Sequence, residues 1–115
     1  MIYLASPYSS DRALNFKLVE QATATMLQQG HLIFSPIVHC HEIAEKYSLP
    51  TDYKFWEAYA TGMLTRANEL WVLQIPGWRE SLGVQSEIIH ARRCQIPVYT
   101  VNITGTFKEK LPERS

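Results

Sequence analysis

The stretch from Ser81 to Glu87 holds the residue types in this sequence that are best suited to chemistry: a serine, a glycine and a carboxylate at helical spacing. Ser81 precedes a periodic segment and is a good N-cap, and the free N–H groups of a helix start attract phosphate or carboxylate groups. Glu87 lies four residues after Gly83, so both fall on one face of the helix. Because glycine has no side chain, we expect open space beside the carboxylate. Such a carboxylate could attack a phosphorylated substrate.

The same pattern has a simpler interpretation. Ser81 would then cap an ordinary surface helix, and Glu87 would be a solvent-exposed carboxylate like many others. Trp78, in the loop before Ser81, is also open to two interpretations. Its ring could stack on a bound base or cover the site, or it could fill a contact between subunits, because tryptophan is enriched at both kinds of surface.

The elements that must position these residues follow from the apolar pattern. Short apolar runs predict strands at residues 2–5, 31–35, 70–75 and 96–101. Helical spacing predicts helices at 12–29, at 55–67 and after Ser81, residues 39–47 could form a short helix, and Trp56 and Trp71 are expected in the core. This alternation predicts an α/β fold, a flavodoxin/Rossmann-like doubly wound parallel sheet of four to five strands with helices on both faces.

Two loops leave the carboxyl ends of predicted strands, where ligands bind in such sheets. Residues 6–10 follow the first strand, and residues 76–81 follow the strand at 70–75. We expect these loops to meet in one crevice. Ser9 and Ser10 either donate hydrogen bonds to a ligand there or serve only as helix caps.

Size and charge restrict the protein's class. The 115 residues are 46% hydrophobic, enough for one domain, which we assign to residues 1–104 with a weakly structured tail at 105–115. The 11 basic and 11 acidic residues balance, so we expect neither nucleic acid nor a membrane as a partner. No apolar run is long enough for a membrane span and the sequence starts directly with a strand pattern, so we expect a cytoplasmic protein with Cys40 and Cys94 as free thiols.

Residues 39–42, His-Cys-His-Glu, raise the alternative of a metal site. Adjacent side chains diverge, however, and only the lone histidines His31 and His90 stand elsewhere. We therefore predict no metal.

Three stretches form the pattern of a known family. They are Ile2-Tyr3-Leu4-Ala5-Ser6-Pro7-Tyr8, Gly30 to Pro36, and Ser81-Leu82-Gly83-Val84-x-x-Glu87 followed by Ala91 and Pro97-Val98. Together they resemble the nucleoside 2-deoxyribosyltransferase-like superfamily over nearly the whole chain. Gly77-Trp78, before the serine, is similar to a small branch close to the nucleoside 5′-monophosphate N-glycosidases.

The resemblance implies roles for the site residues. In characterised members, the glutamate that matches Glu87 attacks C1′ of a nucleoside or nucleotide, the base leaves, and the glycosyl ester passes to another base or to water. The tyrosine that matches Tyr3 orients that glutamate, although Tyr3 could also be ordinary strand packing. A serine at position 81 matches the enzymes that contact a 5′-phosphate, so Ser81 with the amides of Gly83 and Val84 would cradle phosphate.

The resemblance further implies a nucleotide or nucleoside as the substrate, no cofactor, and a homodimer or higher homo-oligomer. One departure bears on turnover. Family enzymes carry aspartates at the positions of Ala60 and Asn68, and the first helps to handle the sugar or the departing base. Asp52, Glu57 or Glu80 could substitute for it. Otherwise the protein is a nucleotide-binding or sensing protein without turnover, or has a purely structural role.

Overall fold

Strands and helices alternate along the chain in the computed structural model, which describes residues 1–8 and 11–113. In chain order these elements are β1 (Ile2–Ala5), α1 (Arg12–Gln28), β2 (Ile33–Phe34), α2 (Pro36–Lys46), α3 (Tyr53–Thr65), β3 (Glu69–Leu73), α4 (Leu82–Arg93), β4 (Val98–Val101) and β5 (Lys108–Lys110). The predicted short helix at 39–47 is therefore a longer helix, α2. No helix of the described residues is long and apolar enough to cross a membrane.

The sheet has the strand order β2-β1-β3-β4-β5. The first four strands are parallel, with Tyr3 opposite Leu70 and Trp71 opposite Tyr99, and β5 is antiparallel to β4. The chain leaves β1 toward β2 on one side and returns to β3 on the other, so the switch point lies between β1 and β3. The predicted α/β, doubly wound class is confirmed.

Alternating side chains of the parallel strands form a core on each face of the sheet. One face, which includes Tyr3 and Leu70, packs against α3 and α4. The other, which includes Leu4 and Trp71, packs against α1. The helices therefore cover both faces, as predicted.

Each helix begins at a short polar side chain that accepts a hydrogen bond from a backbone N–H of the first turn. The caps are Asp11 for α1, Ser35 for α2, Asp52 for α3 and Ser81 for α4. Gly30 stands two residues after the end of α1 with a φ of +93°, a conformation that glycine adopts without strain. These local signals explain why the predicted helix boundaries lie within a few residues of those observed.

The large apolar side chains of α1 and α3 coincide only partly with the buried faces of these helices. On α1, Leu14 and Leu27 are half exposed, while Val19, Ala22 and Met26 pack on the sheet. On α3, Phe55 and Tyr59 are exposed, and the small Ala60 lets the helix approach the sheet with Leu64. Rotation of the helix by part of a turn separates these faces, and helical spacing alone does not choose between them.

Two further expectations need correction. Trp71 is buried as predicted, but Trp56 is only partly covered, and its indole N–H donates to the Pro50 carbonyl at 2.8 Å. The expected weakly structured tail contains β5, which covers the edge of β4. The Arg92 guanidinium holds the chain just beyond β5 through the carbonyls of Leu111 and Pro112, so the ordered sheet extends past residue 104.

Candidate active site

A buried carboxylate with a tyrosine partner stands at the centre of the site. Glu87, in the second turn of α4, is 5% exposed, and the hydroxyl of the fully buried Tyr3 on β1 donates to its Oε2. Glu87 is thus not a solvent-exposed surface residue. The other oxygen, Oε1, makes no hydrogen bond within the described residues, so it is available to a ligand.

Burial controls the ionisation of this pair. It raises the pKa of Glu87 to about 7, and the hydrogen bond from Tyr3 acts in the opposite direction. Burial, and then the charge of Glu87, raise the pKa of Tyr3 far above its usual range, so Tyr3 keeps its proton and stays a donor. No basic side chain of the described residues forms an ion pair with Glu87. The carboxyl therefore changes charge near neutral pH.

Glu87 lies in the wall of a cavity beyond the carboxyl end of β1. This inner cavity has a volume of about 100 Å³ and opens to solvent. Its wall is formed by Ser6, Tyr8, Pro36, Ile37, Cys40, His41, Ala44, Thr51, Tyr53, Trp56, Tyr59, Ala60, Ser81, Gly83 and Glu87. The crevice expected at this edge of the sheet is present, and α2 and α3 supply much of its wall.

The start of α4 forms one side of the inner cavity. Ser81 Oγ accepts from the Val84 N–H at 3.2 Å, so the Val84 amide, which we predicted to bind phosphate, already has a partner. The amides of Leu82 and Gly83 are the ones that a helix start leaves without an intrahelical acceptor. Ser81 can still donate its own hydroxyl proton while it accepts from Val84.

The space beside Gly83 is not open, contrary to our expectation. A Cβ atom placed on Gly83 would lie 3.0 Å from Cδ1 of the Tyr53 ring. Tyr53 is the first residue of α3, and the missing side chain at Gly83 allows its ring to lie directly against α4. The glycine therefore accommodates an aromatic ring at the cavity wall rather than a vacancy.

Two hydroxyl groups of the inner cavity have no partner among the described residues. They are Ser6 Oγ, directly after β1, and Tyr53 Oη, and both atoms are buried. Burial, and then the charge of Glu87, raise the pKa of Tyr53 to about 12. The nearby Ser86 hydroxyl lowers the pKa of Tyr53, but it is not within hydrogen-bond geometry of Tyr53 Oη. Ser6 lies in the loop at 6–10 that was expected in the crevice, but the sequence singled out neither hydroxyl as a site residue.

His41 was considered only as a metal ligand, and the structure places it in the cavity wall. Its Nδ1 shares a hydrogen bond with the Tyr8 hydroxyl, and its ring stacks on Phe16 with 4.1 Å between centroids. His39 points elsewhere and stacks on Tyr59. Within residues 1–8 and 11–113, no three His, Cys, Asp or Glu side chains are grouped so that they could hold a metal ion.

Other predicted site residues lie away from Glu87. Trp78 packs against the core between the sheet and the pair α3 and α4, with the Arg79 guanidinium 4.7 Å above its ring, and it is not part of the inner cavity wall. Ser9 and Ser10 lie outside the described residues.

The positions that lack family carboxylates are separated in the fold. Ala60 lines the inner cavity, whereas Asn68 accepts a hydrogen bond from the amino group of Met1. The candidate substitutes Asp52, Glu57 and Glu80 line an adjoining outer cavity, which shares Tyr8, Tyr53, Ser81 and Gly83 with the inner one. None of the three carboxylates is in the inner wall.

Comparison with known proteins gives one positive result. No curated protein matches the chain. A family model described as "Domain of unknown function (DUF1937)" matches residues 1–103, and the chain therefore belongs to that family.

Proposed function

We propose that the protein cleaves or transfers the N-glycosidic bond of a nucleoside 5′-monophosphate through a covalent glycosyl-Glu87 intermediate. The observation that carries the proposal is the buried Glu87 carboxyl, which Tyr3 holds through one oxygen while the other has no hydrogen-bond partner among residues 1–8 and 11–113. A buried acid with no cation lowers stability, and such arrangements concentrate at functional sites. The resemblance to the nucleoside 2-deoxyribosyltransferase-like superfamily supports the same assignment.

The chemistry follows from the position of the two carboxylate oxygens. Oε1 of ionised Glu87 attacks C1′ of the sugar, and the C1′–N bond breaks with its electron pair moving to the base. Tyr3 holds Oε2 and so fixes the attacking rotamer. Water or a second base then attacks C1′, which frees the carboxylate. The attacking water or base releases one proton, and this proton replaces the one that the departing base has taken up.

The walls of the inner cavity suit the three parts of a nucleotide. The 5′-phosphate would lie at the start of α4, near the Ser81 hydroxyl and the amides of Leu82 and Gly83. The planar base would lie against the aromatic wall formed by Trp56 and Tyr59. The sugar would then lie between them, beside Glu87.

The departing base also needs a proton. His41 is the imidazole in the inner wall, and imidazole is a common general acid in enzymes. In the imidazolium form both ring nitrogens carry protons, so Nδ1–H donates to the Tyr8 hydroxyl oxygen and the Nε2 proton can pass to the base, which leaves a neutral ring. We assign this role to His41 because Ala60 has no carboxyl group.

The test is release of free base from a panel of ribo- and deoxyribonucleoside 5′-monophosphates. We expect release by the wild type and a loss of at least about a thousandfold in Glu87→Gln, since the nucleophile is gone. Glu20→Gln, on the exposed surface of α1, is the matched control and should keep full activity. Release that survives in Glu87→Gln would refute the covalent mechanism.

The alternative is a nucleotide-binding or sensing protein on the same fold, and Ala60 in the inner wall is the observation that favours it. In that case no nucleotide of the panel releases its base, while nucleotides still bind. Ser81→Ala should weaken that binding, because it removes a donor at the expected phosphate position.

A further inference from the structure

The two unpartnered hydroxyl groups of Ser6 and Tyr53 stand out among the polar atoms of the cavity. Ser6 is 8% exposed, and its Oγ and Tyr53 Oη are both buried. Two other hydroxyls of the same wall have partners: Ser81 accepts from Val84, and Tyr8 pairs with His41. Because a buried hydroxyl without a partner costs free energy, these two groups are expected to meet water or a ligand.

We propose that Ser6 and Tyr53 bind the ring hydroxyl groups of a ribosyl substrate, so that the site selects ribonucleotides over 2-deoxyribonucleotides. The inference rests on the proposed function, which places the sugar beside Glu87. It adds the class of sugar and two binding residues.

The location of the two groups favours the sugar over the other parts of a nucleotide. Ser6 follows β1, the strand that carries Tyr3, and Tyr53 lies against Gly83, one turn before Glu87 on α4. Both line the same inner cavity as the carboxyl group that would attack C1′. A neutral hydroxyl both donates and accepts, which matches a sugar hydroxyl.

The sugar class follows from the number of hydroxyls. A ribosyl ring offers vicinal 2′- and 3′-hydroxyl groups, one for each unpartnered protein hydroxyl. A 2-deoxyribosyl ring leaves one of the two protein groups buried and unpaired. A site that hydrogen-bonds a substrate hydroxyl discriminates strongly against the analogue that lacks it.

Binding of ribose 5-phosphate and 2-deoxyribose 5-phosphate to the wild-type protein tests the inference by calorimetry. Neither ligand carries a base, so the measurement does not depend on turnover. We expect ribose 5-phosphate to bind about tenfold more tightly. Tyr53→Phe and Ser6→Ala should each reduce this ratio toward one through weaker binding of the ribose ligand. Affinity for inorganic phosphate should not change.

Tyr47→Phe is the matched control, because Tyr47 is 67% exposed and is not part of either cavity wall. It should leave both affinities unchanged. Equal affinity for the two sugars, tighter binding of the deoxy sugar, or an equal loss for both in Tyr53→Phe would overturn the inference, since water alone would then satisfy the two hydroxyls.

The outcome is separable from that of the proposed function. Sugar discrimination without base release from any nucleotide would support the two binding residues and refute the enzyme. Base release with no preference for ribose would support the enzyme and refute the role of Ser6 and Tyr53 in binding the sugar.

Discussion

Burial changes both the pKa of the Glu87 carboxyl and its strength as a nucleophile. Its burial without a cation disfavours the charged form and raises the pKa to about 7. The same desolvation leaves an ionised carboxylate poorly solvated and hence a better nucleophile. Tyr3 limits the cost by donating to Oε2, and it keeps its own proton because its pKa is raised.

The pH dependence of base release should follow the ionisation of Glu87. We expect kcat/KM of the wild type to fall about tenfold per unit as the pH drops below 7, because the protonated carboxyl cannot attack. Since the Tyr3 hydrogen bond lowers the pKa of Glu87, Tyr3→Phe should move this limb to higher pH. The phosphate of the substrate also titrates near pH 6, but identically in both proteins. A limb that does not move in Tyr3→Phe would therefore contradict the assignment to Glu87.

The free energy of unfolding should depend on pH in the direction opposite to that of base release. The carboxyl of Glu87 ionises at about 4.5 when unfolded and at about 7 when folded, so between these values the native state binds more protons and loses stability as the pH rises. Glu87→Gln removes this loss. We expect the variant to exceed the wild type in free energy of unfolding above pH 7 by up to about 3 kcal/mol, and to match it near pH 4.

Urea unfolding at pH 4, 6 and 8 measures the difference, with Glu20→Gln as the exposed control. A variant that is less stable than the wild type at pH 8 would show that the charged carboxylate is stabilised by partners other than Tyr3.

Among the elements, α4 was predicted most completely from the sequence. Ser81 caps it and Glu87 shares a face with Gly83, as predicted, and Val84, Ile88 and Ala91 are its buried apolar residues. All of these are local signals with a fixed helical spacing. The position of the Tyr53 ring was not predictable in this way, because it depends on how closely α3 packs against α4.

Gly83 should be needed for this packing. Gly83→Ala places a Cβ 3.0 Å from the Tyr53 ring, so the ring must shift by a few tenths of an ångström. We expect a folded protein with nucleotide affinity or kcat/KM reduced about tenfold, since the Tyr53 hydroxyl is displaced. Gly62→Ala in α3 is the matched control. Its Cβ meets only Arg66 Nη1, at 3.9 Å, so it should raise stability by about 0.5–1 kcal/mol without affecting the site.

Equal activity in Gly83→Ala and the wild type would show that the contact between Tyr53 and Gly83 has no part in positioning the site. Measurement of thermal unfolding beside the kinetics separates a local effect from a loss of fold.

At the scale of the whole molecule, the order of strands and helices predicted the sheet class and placed the crevice. The sequence did not identify the inner cavity wall beyond Glu87, Ser81 and Gly83, because Ser6, His41 and Tyr53 come together only through long-range packing of α2 and α3 on the sheet. It also missed β5, whose three residues Lys108–Lys110 are all charged and exposed and so carry no apolar strand pattern. Edge strands of this kind are common, since charge there prevents pairing with other chains.

We propose that the protein functions as a homodimer or higher oligomer, as the family resemblance implies. Leu82 and Ile89 lie seven residues apart on one exposed face of α4 and are 85% and 50% exposed. A second copy of the chain on this face would cover them. It would also stand beside the outer cavity, because Leu82 is part of its wall. We expect light scattering to give a solution mass of at least two chains for the wild type.

Ile89→Glu should shift the mass toward that of one chain, since a buried charge without a partner weakens an interface. Leu27→Glu is the matched control, because Leu27 is 54% exposed but lies on α1, across the sheet from α4. It should leave the mass unchanged. If Leu27→Glu dissociates the protein while Ile89→Glu does not, the subunits meet through α1 instead. A wild type that is monomeric at all concentrations would refute the proposed oligomer and would mean that one chain alone forms the complete site.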